Sequence, residues 1–108
     1  MTTDEIVSYL EAELGAYPKR ASAVELYEFL VGKARLLRDA NRQGLVEALG
    51  RWLELRSEPR TMLAVDIASK LELTELRGAL EGLLHDVKSG NAFLPYYARN
   101  IETALAAL

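Results

Sequence analysis

His85 is the single histidine of this chain, and cysteine is absent. A structural or catalytic zinc site draws three or four ligands from Cys, His and carboxylates, so one histidine alone does not seed one. A catalytic dyad would need a nucleophile beside it, and Leu83, Leu84 and Asp86 are its neighbours. The plainer reading places His85 near a helix C-terminus, where partial positive charge is stabilising. Carboxylates are many but scattered. Glu25 and Glu28 lie three apart, as do Glu72 and Glu75. Such pairs can do acid–base work or hold metal, yet di-metal bundles need Glu-x-x-His on two helices, and the sequence has none. Phosphate-loop, dinucleotide, nucleophile-elbow and zinc-protease patterns are all missing. The residues predict a protein that is not an enzyme and uses no cofactor or metal.

Cations offer a second kind of chemistry. Residues 33–60 hold seven basic side chains (Lys33, Arg35, Arg38, Arg42, Arg51, Arg56 and Arg60) against four acids. One reading is a face for an anionic partner, a nucleic-acid backbone or an acidic protein. The other is local pairing with Asp39, Glu47, Glu54 and Glu58. Arg35, Arg38 and Arg56 fall in the last turns of expected helices, which favours the second. The net charge of −3 also lacks the basic excess of a general nucleic-acid binder. Tyr96, Tyr97 and Arg99 open the last expected helix, and tyrosine and arginine are enriched in binding hot spots. Tyr97 shares the apolar stripe of Ile101 and belongs to the core, whereas Tyr96 points off it. Arg56, Arg60 and Tyr96 are therefore the candidate partner contacts.

These residues need elements to position them. Half of the 108 residues are apolar and 27% are charged, the composition of a folded globular domain, and the length suits one domain over residues 1–108. No apolar run approaches the ~18 residues of a membrane span. The acidic, polar start Met1-Thr2-Thr3-Asp4-Glu5 has no secretory-signal pattern, so a cytoplasmic setting with no membrane partner is expected. Thr2 with Glu5, and Ser22 with Glu25, have capping-box spacing. Helices are predicted over about 4–14, with Gly15 as the stop, then from Pro18 in a first turn, or else from Ser22, to Leu37, from an Asn41 cap to Arg56, from Pro59 to Leu71, from a Thr74 cap to Val87 with Ser89-Gly90 as the stop, and from Pro95 onward. Ser57 is expected to cap the fourth helix. Gly44, Gly50, Gly78 and Gly82 are expected at close-packing positions within helices. No segment alternates as a strand would. The fold class is all-α with about six helices.

Three prolines give the helices a rhythm. Pro18, Pro59 and Pro95 are 41 and 36 residues apart. Six positions after each stands Val24, Val65 or Ile101, followed by Glu25, Asp66 or Glu102. A period of this size built from helices is the mark of stacked helical repeats, and it assigns Val24, Val65 and Ile101 to the core.

From Leu45 to Leu108 the sequence resembles the HEAT and armadillo-like repeats. Leu83-Leu84-His85-Asp86, then Pro95-Tyr96-Tyr97-Ala98-Arg99, then Ala104-Leu105 carry the likeness. It departs from the family where Met62 stands at the arginine position. The resemblance implies a short right-handed stack of antiparallel helix pairs, with a compact helical bundle as the alternative. It also implies that Asp86 and Arg99, at the matching positions, form an inter-repeat pair. The function expected is a non-catalytic adaptor that presents a rigid surface to another protein or to a second copy of itself. The apolar close Ala104-Leu105-Ala106-Ala107-Leu108 supplies one flank for such contact, or else folds back onto the neighbouring helix. The alternative is a nucleic-acid-binding repeat using residues 33–60.

Overall fold

Two capping boxes set the first two helices. In α1 (Thr3–Ala16) the Thr2 hydroxyl accepts the Glu5 N–H and the Glu5 carboxylate accepts the Thr2 N–H. In α2 (Ala23–Glu54) Ser22 and Glu25 do the same. Each box satisfies two of the N–H groups that a helix start leaves orphaned. The computed structural model describes residues 1–18 and 22–108. Lys19, Arg20 and Ala21, which belong to the first proline unit, lie outside the described residues.

The helix α1 passes through Gly15 and ends at Ala16, with Tyr17 extended at ψ 136°. The stop is Pro18, which bars the residue before it from helical geometry. Pro18 therefore closes α1 and does not open α2. The 32 residues of α2 are helical except at Asn41 (φ −159°, ψ 82°). There the Asn41 side chain accepts the Gly44 N–H at 3.0 Å and caps the second arm, while its amide donates to the Met1 carbonyl at 2.8 Å. The two helices expected on either side of Asn41 are thus the two arms of one helix broken at Asn41, and five helices form among the described residues.

Next come α3 (Arg60–Lys70), a 3₁₀ turn (Thr74–Leu76), α4 (Arg77–Lys88) and α5 (Tyr97–Ala106). The expected caps Ser57 and Thr74 do not cap: neither α3 nor the 3₁₀ turn has a side-chain cap bond. Thr61 acts in place of Ser57. Its hydroxyl accepts the Ser57 N–H at 2.9 Å and donates to the Trp52 carbonyl at 2.8 Å. Two helices end in the double hydrogen-bond pattern in which a left-handed residue turns the chain back over the last carbonyls. After α4 the residue is Gly90 at φ 82°, with Asn91 N–H on the Asp86 carbonyl and Gly90 N–H on Val87. After α3 it is Glu72 at φ 54°, with Leu73 on Ala68 and Glu72 on Ser69.

The helix α2 packs on α1, α3 and α4, and α5 lies on α3 and α4. Its second arm is the spine of the core, with Leu45, Ala48, Leu49, Trp52 and Leu53 all buried. Facing it, α3 buries Leu63, Ala64, Val65, Ile67 and Ala68. The alanines at 64 and 68 share a face and let the backbones approach. The radius of gyration is 13.1 Å, close to the ~13 Å of a compact chain of this length. Val65 and Ile101 are fully buried, but Val24 is 64% exposed. The reason is register. Val24 is the second residue of α2, whereas Val65 is the sixth of α3 and Ile101 the fifth of α5. The first proline unit thus meets its helix out of step with the other two. Leu36 and Leu94 are also exposed. Leu105 and Leu108 are half-buried against the core, so the apolar close of the chain is largely folded in.

The glycines divide. A Cβ on Gly44 would stand 2.5 Å from Asn41 Nδ2 and 2.8 Å from Ile6 Cδ1, whereas one on Gly82 or Gly78 would meet nothing within 4 Å. Asn41 is tied by its two bonds and Ile6 is buried, so neither yields cheaply. Gly44→Ala is expected to cost about 1–3 kcal/mol, and Gly82→Ala to stabilise by up to about 1 kcal/mol; urea titrations of the two variants read both signs. Thr61→Val keeps the shape and strips the hydroxyl from two backbone groups. It should cost about 1–3 kcal/mol, and Thr61→Ser should recover most of that loss in the same titration.

Candidate functional site

Four arginines of the central stretch are spent on carboxylates. Arg56 donates from Nε at 3.1 Å and Nη2 at 3.0 Å to Asp86 of α4, and from Nη1 at 2.8 Å to the Leu53 carbonyl. Arg60 donates to Glu11 of α1, Nε to Oε1 at 2.8 Å. Arg42 makes a two-pronged pair with Glu75 at 2.8 and 3.0 Å and also reaches the Glu72 carbonyl. Arg51 pairs with Asp4. The four cations thus run to four different carboxylates, on α1, the 3₁₀ turn and α4, and do not converge as a free basic face. These partners lie far off in sequence, and spacing alone could not reveal them.

Asp86 therefore meets Arg56, not Arg99. The αL conformation of Arg56 (φ 51°) just past the end of α2 turns its side chain toward α4. Arg99 is exposed and makes no ion pair among the described residues. Its carbonyl instead accepts the Thr103 hydroxyl at 2.9 Å. Arg56 and Arg60, expected as surface contacts, are both about two-thirds covered and hold helices together.

Tyr96 is where the sequence put it, 64% exposed. Its ring stacks on Tyr97 at 4.4 Å between centroids, and Tyr97 packs edgewise near Phe93 at 5.4 Å. The Tyr97 hydroxyl donates to Glu58, which holds its own pKa well above the usual phenol value. Glu58 sits in the turn after α2, so this bond and Arg56–Asp86 tie that turn to the start of α5 and the end of α4, on either side of their connection. Leu55 and Leu94, on the two tied segments, are 56% and 60% exposed. With Tyr96 they give the tied segments three large exposed apolar side chains.

A second surface is polar. Between α2, α3 and α5 lies a groove of about 250 Å³ lined by Tyr27, Asp66, Ser69, Asn100, Thr103 and Ala104. Tyr27 also borders a depression of about 270 Å³ with Glu28, Arg35 and Lys70. Asp66 is open to solvent at the groove mouth, yet the surrounding protein displaces enough water to push its carboxyl pKa up. Burial likewise raises the Tyr27 phenol, with the charges of Asp66 and Glu28 adding to it. The repeat pattern had marked Asp66 only as a recurrent acid.

The residues first singled out for chemistry stand apart. His85 is exposed in the last turn of α4. Glu25 is occupied in its capping box and Glu75 with Arg42. No group of three or more His, Asp or Glu side chains is placed to hold a metal ion among the described residues. No helix among them is long and apolar enough to cross a membrane. Comparison of the chain with protein-family models, with curated proteins and with solved structures finds no match.

Opposite charges shift these carboxyls in a testable direction. The Arg42 guanidinium draws the Glu75 carboxyl from its ordinary 4.5 down to about 2. A carboxyl lowered in the folded state adds stability above its unfolded pKa and loses it as pH falls through the folded value. Glu75→Gln should therefore flatten the acid side of the stability curve between about pH 4.5 and 2. Both partners are more than 40% exposed, so at neutral pH the same change should cost no more than about 1 kcal/mol. Thermal melts across that range compare the two slopes.

Proposed function

We propose that this chain is a non-catalytic protein-interaction module, docking another protein or a second copy of itself through the end that carries Leu55, Leu94 and Tyr96. The carrying observation is the exposure of these three side chains on segments already fixed by other bonds. Exposed leucines scattered singly would mean little, but these three stand on segments joined by the Arg56–Asp86 and Tyr97–Glu58 bonds, and apolar groups gathered at one end of a fold mark interaction surfaces. A tyrosine stacked on its neighbour presents area with little rotamer freedom left to lose, which lowers the entropic cost of binding. The reading that the helices form a short right-handed stack belongs to this proposal too. Successive helix contacts, α1 with α2, α2 with α3 and α4 with α5, support it, and the alternative is a bundle serving the same end.

The test compares the wild-type chain with a Leu55→Ser, Leu94→Ser, Tyr96→Ser triple variant, both immobilised for affinity capture, with their masses measured in solution. All three residues are exposed, so the variant should keep its melting temperature. The expected result is a partner retained, or a dimer formed, by the wild type and lost by the variant. Identical capture and identical mass for the two proteins would overturn the proposal.

A further inference from the structure

The groove between α2, α3 and α5 gathers polar groups that the protein itself leaves unmatched. The Asp66 carboxylate makes no ion pair and no hydrogen bond among the described residues. Lys70 lies one turn further along α3 but borders the neighbouring depression with Glu28 and Arg35, and the upward push on Asp66 comes from burial alone, with no cation offsetting it. The Tyr27 hydroxyl, the Ser69 hydroxyl and the Asn100 amide likewise make no internal hydrogen bond among the described residues, and the Thr103 hydroxyl spends its proton on the Arg99 carbonyl, leaving its oxygen free to accept. Elsewhere this chain pairs its interhelical carboxylates, Glu11, Glu75 and Asp86, with arginine. Asp66 has no such partner among the described residues, and it faces a cavity.

We propose that this groove binds a compact organic cation, the guanidinium or ammonium head group of a basic side chain, with Asp66 as its counter-ion. The chemistry matches in sign and in hydrogen bonding. A carboxylate, an amide carbonyl and three hydroxyl oxygens form an array of acceptors, and guanidinium and ammonium carry only donors. An anion would meet the Asp66 charge. The size also matches: about 250 Å³ is below the ~300–1,000 Å³ of sites that hold whole drug-sized ligands, and suits one head group with part of its stem. A guanidinium is favoured over an ammonium, because its planar fork bonds a carboxylate through two parallel N–H groups. None of Leu55, Leu94 and Tyr96 lines the groove, so the two surfaces can be tested with separate variants.

The experiment is an amide-resolved NMR titration of the wild-type chain at neutral pH with four probes. These are N-acetyl-arginine methylamide, N-acetyl-lysine methylamide, free methylguanidinium and the neutral N-acetyl-glutamine methylamide. The proposal expects saturable shifts at Ser69, Asn100 and Thr103 with the cationic probes and none with the glutamine probe. Tighter binding of the acetylated arginine than of methylguanidinium identifies a peptide-borne side chain as the ligand, and the reverse order a free small cation; both support the site. Asp66→Asn should weaken cation binding at least tenfold, with the fold unchanged because the position is exposed. Asn100→Ala, on an exposed position of α5, should weaken binding with the fold unchanged. Binding that survives Asp66→Asn, glutamine-probe shifts equal to those of the arginine probe, or no saturable shift with any cation would each overturn the proposal.

Discussion

The hydroxyl of Thr61 closes the turn between α2 and α3 from inside the core, and much of the structure hangs on that closure. It is fully buried, and it matches one N–H and one carbonyl that the end of a helix would otherwise leave unpaired in an apolar setting. With the turn fixed there, Arg56 faces Asp86 of α4 and Arg60 faces Glu11 of α1. Both flanks of the core are thus braced from one joint. Trp52, whose carbonyl Thr61 holds, is buried with its indole N–H lacking a well-formed hydrogen bond. The indole still faces Glu11, whose carboxyl is held below its usual range chiefly by Arg60 and in smaller part by Trp52.

The charge pattern of the chain takes its meaning from this frame. A stretch rich in arginine reads as a binding face when seen in one dimension. In three dimensions Arg42, Arg51, Arg56 and Arg60 each bridge to another element. Half-exposed pairs of this kind are individually weak, so their effect is to orient helices whose stability comes from the apolar core. Among the groups that these bridges leave out are the exposed Leu55, Leu94 and Tyr96, and Asp66 in its groove.

Local rules read well from the sequence. Both capping boxes, the Asn41 cap and the Ser89-Gly90 stop are formed by residues within a few positions of one another, so spacing suffices to find them. Pairings between elements were not legible. Asp86 could be given a partner only by resemblance, and the arginine that reaches it comes from the end of α2, 30 residues away. The proline rhythm failed at Val24 because a proline can end one helix as readily as it opens the next. Asp66 was invisible as a site, since nothing local distinguishes a carboxylate facing a groove from one facing open solvent.

If the Thr61 joint organises the fold, the turn it closes should open only when the whole domain does. Native-state hydrogen exchange at the Ser57 amide measures this directly, because an irregular turn otherwise exchanges through small local fluctuations. The account predicts that Ser57 is protected to the same free energy as core amides of α3 such as Val65, with the same denaturant dependence. Exchange at Ser57 by a low-energy local opening, with Val65 still protected, would contradict it.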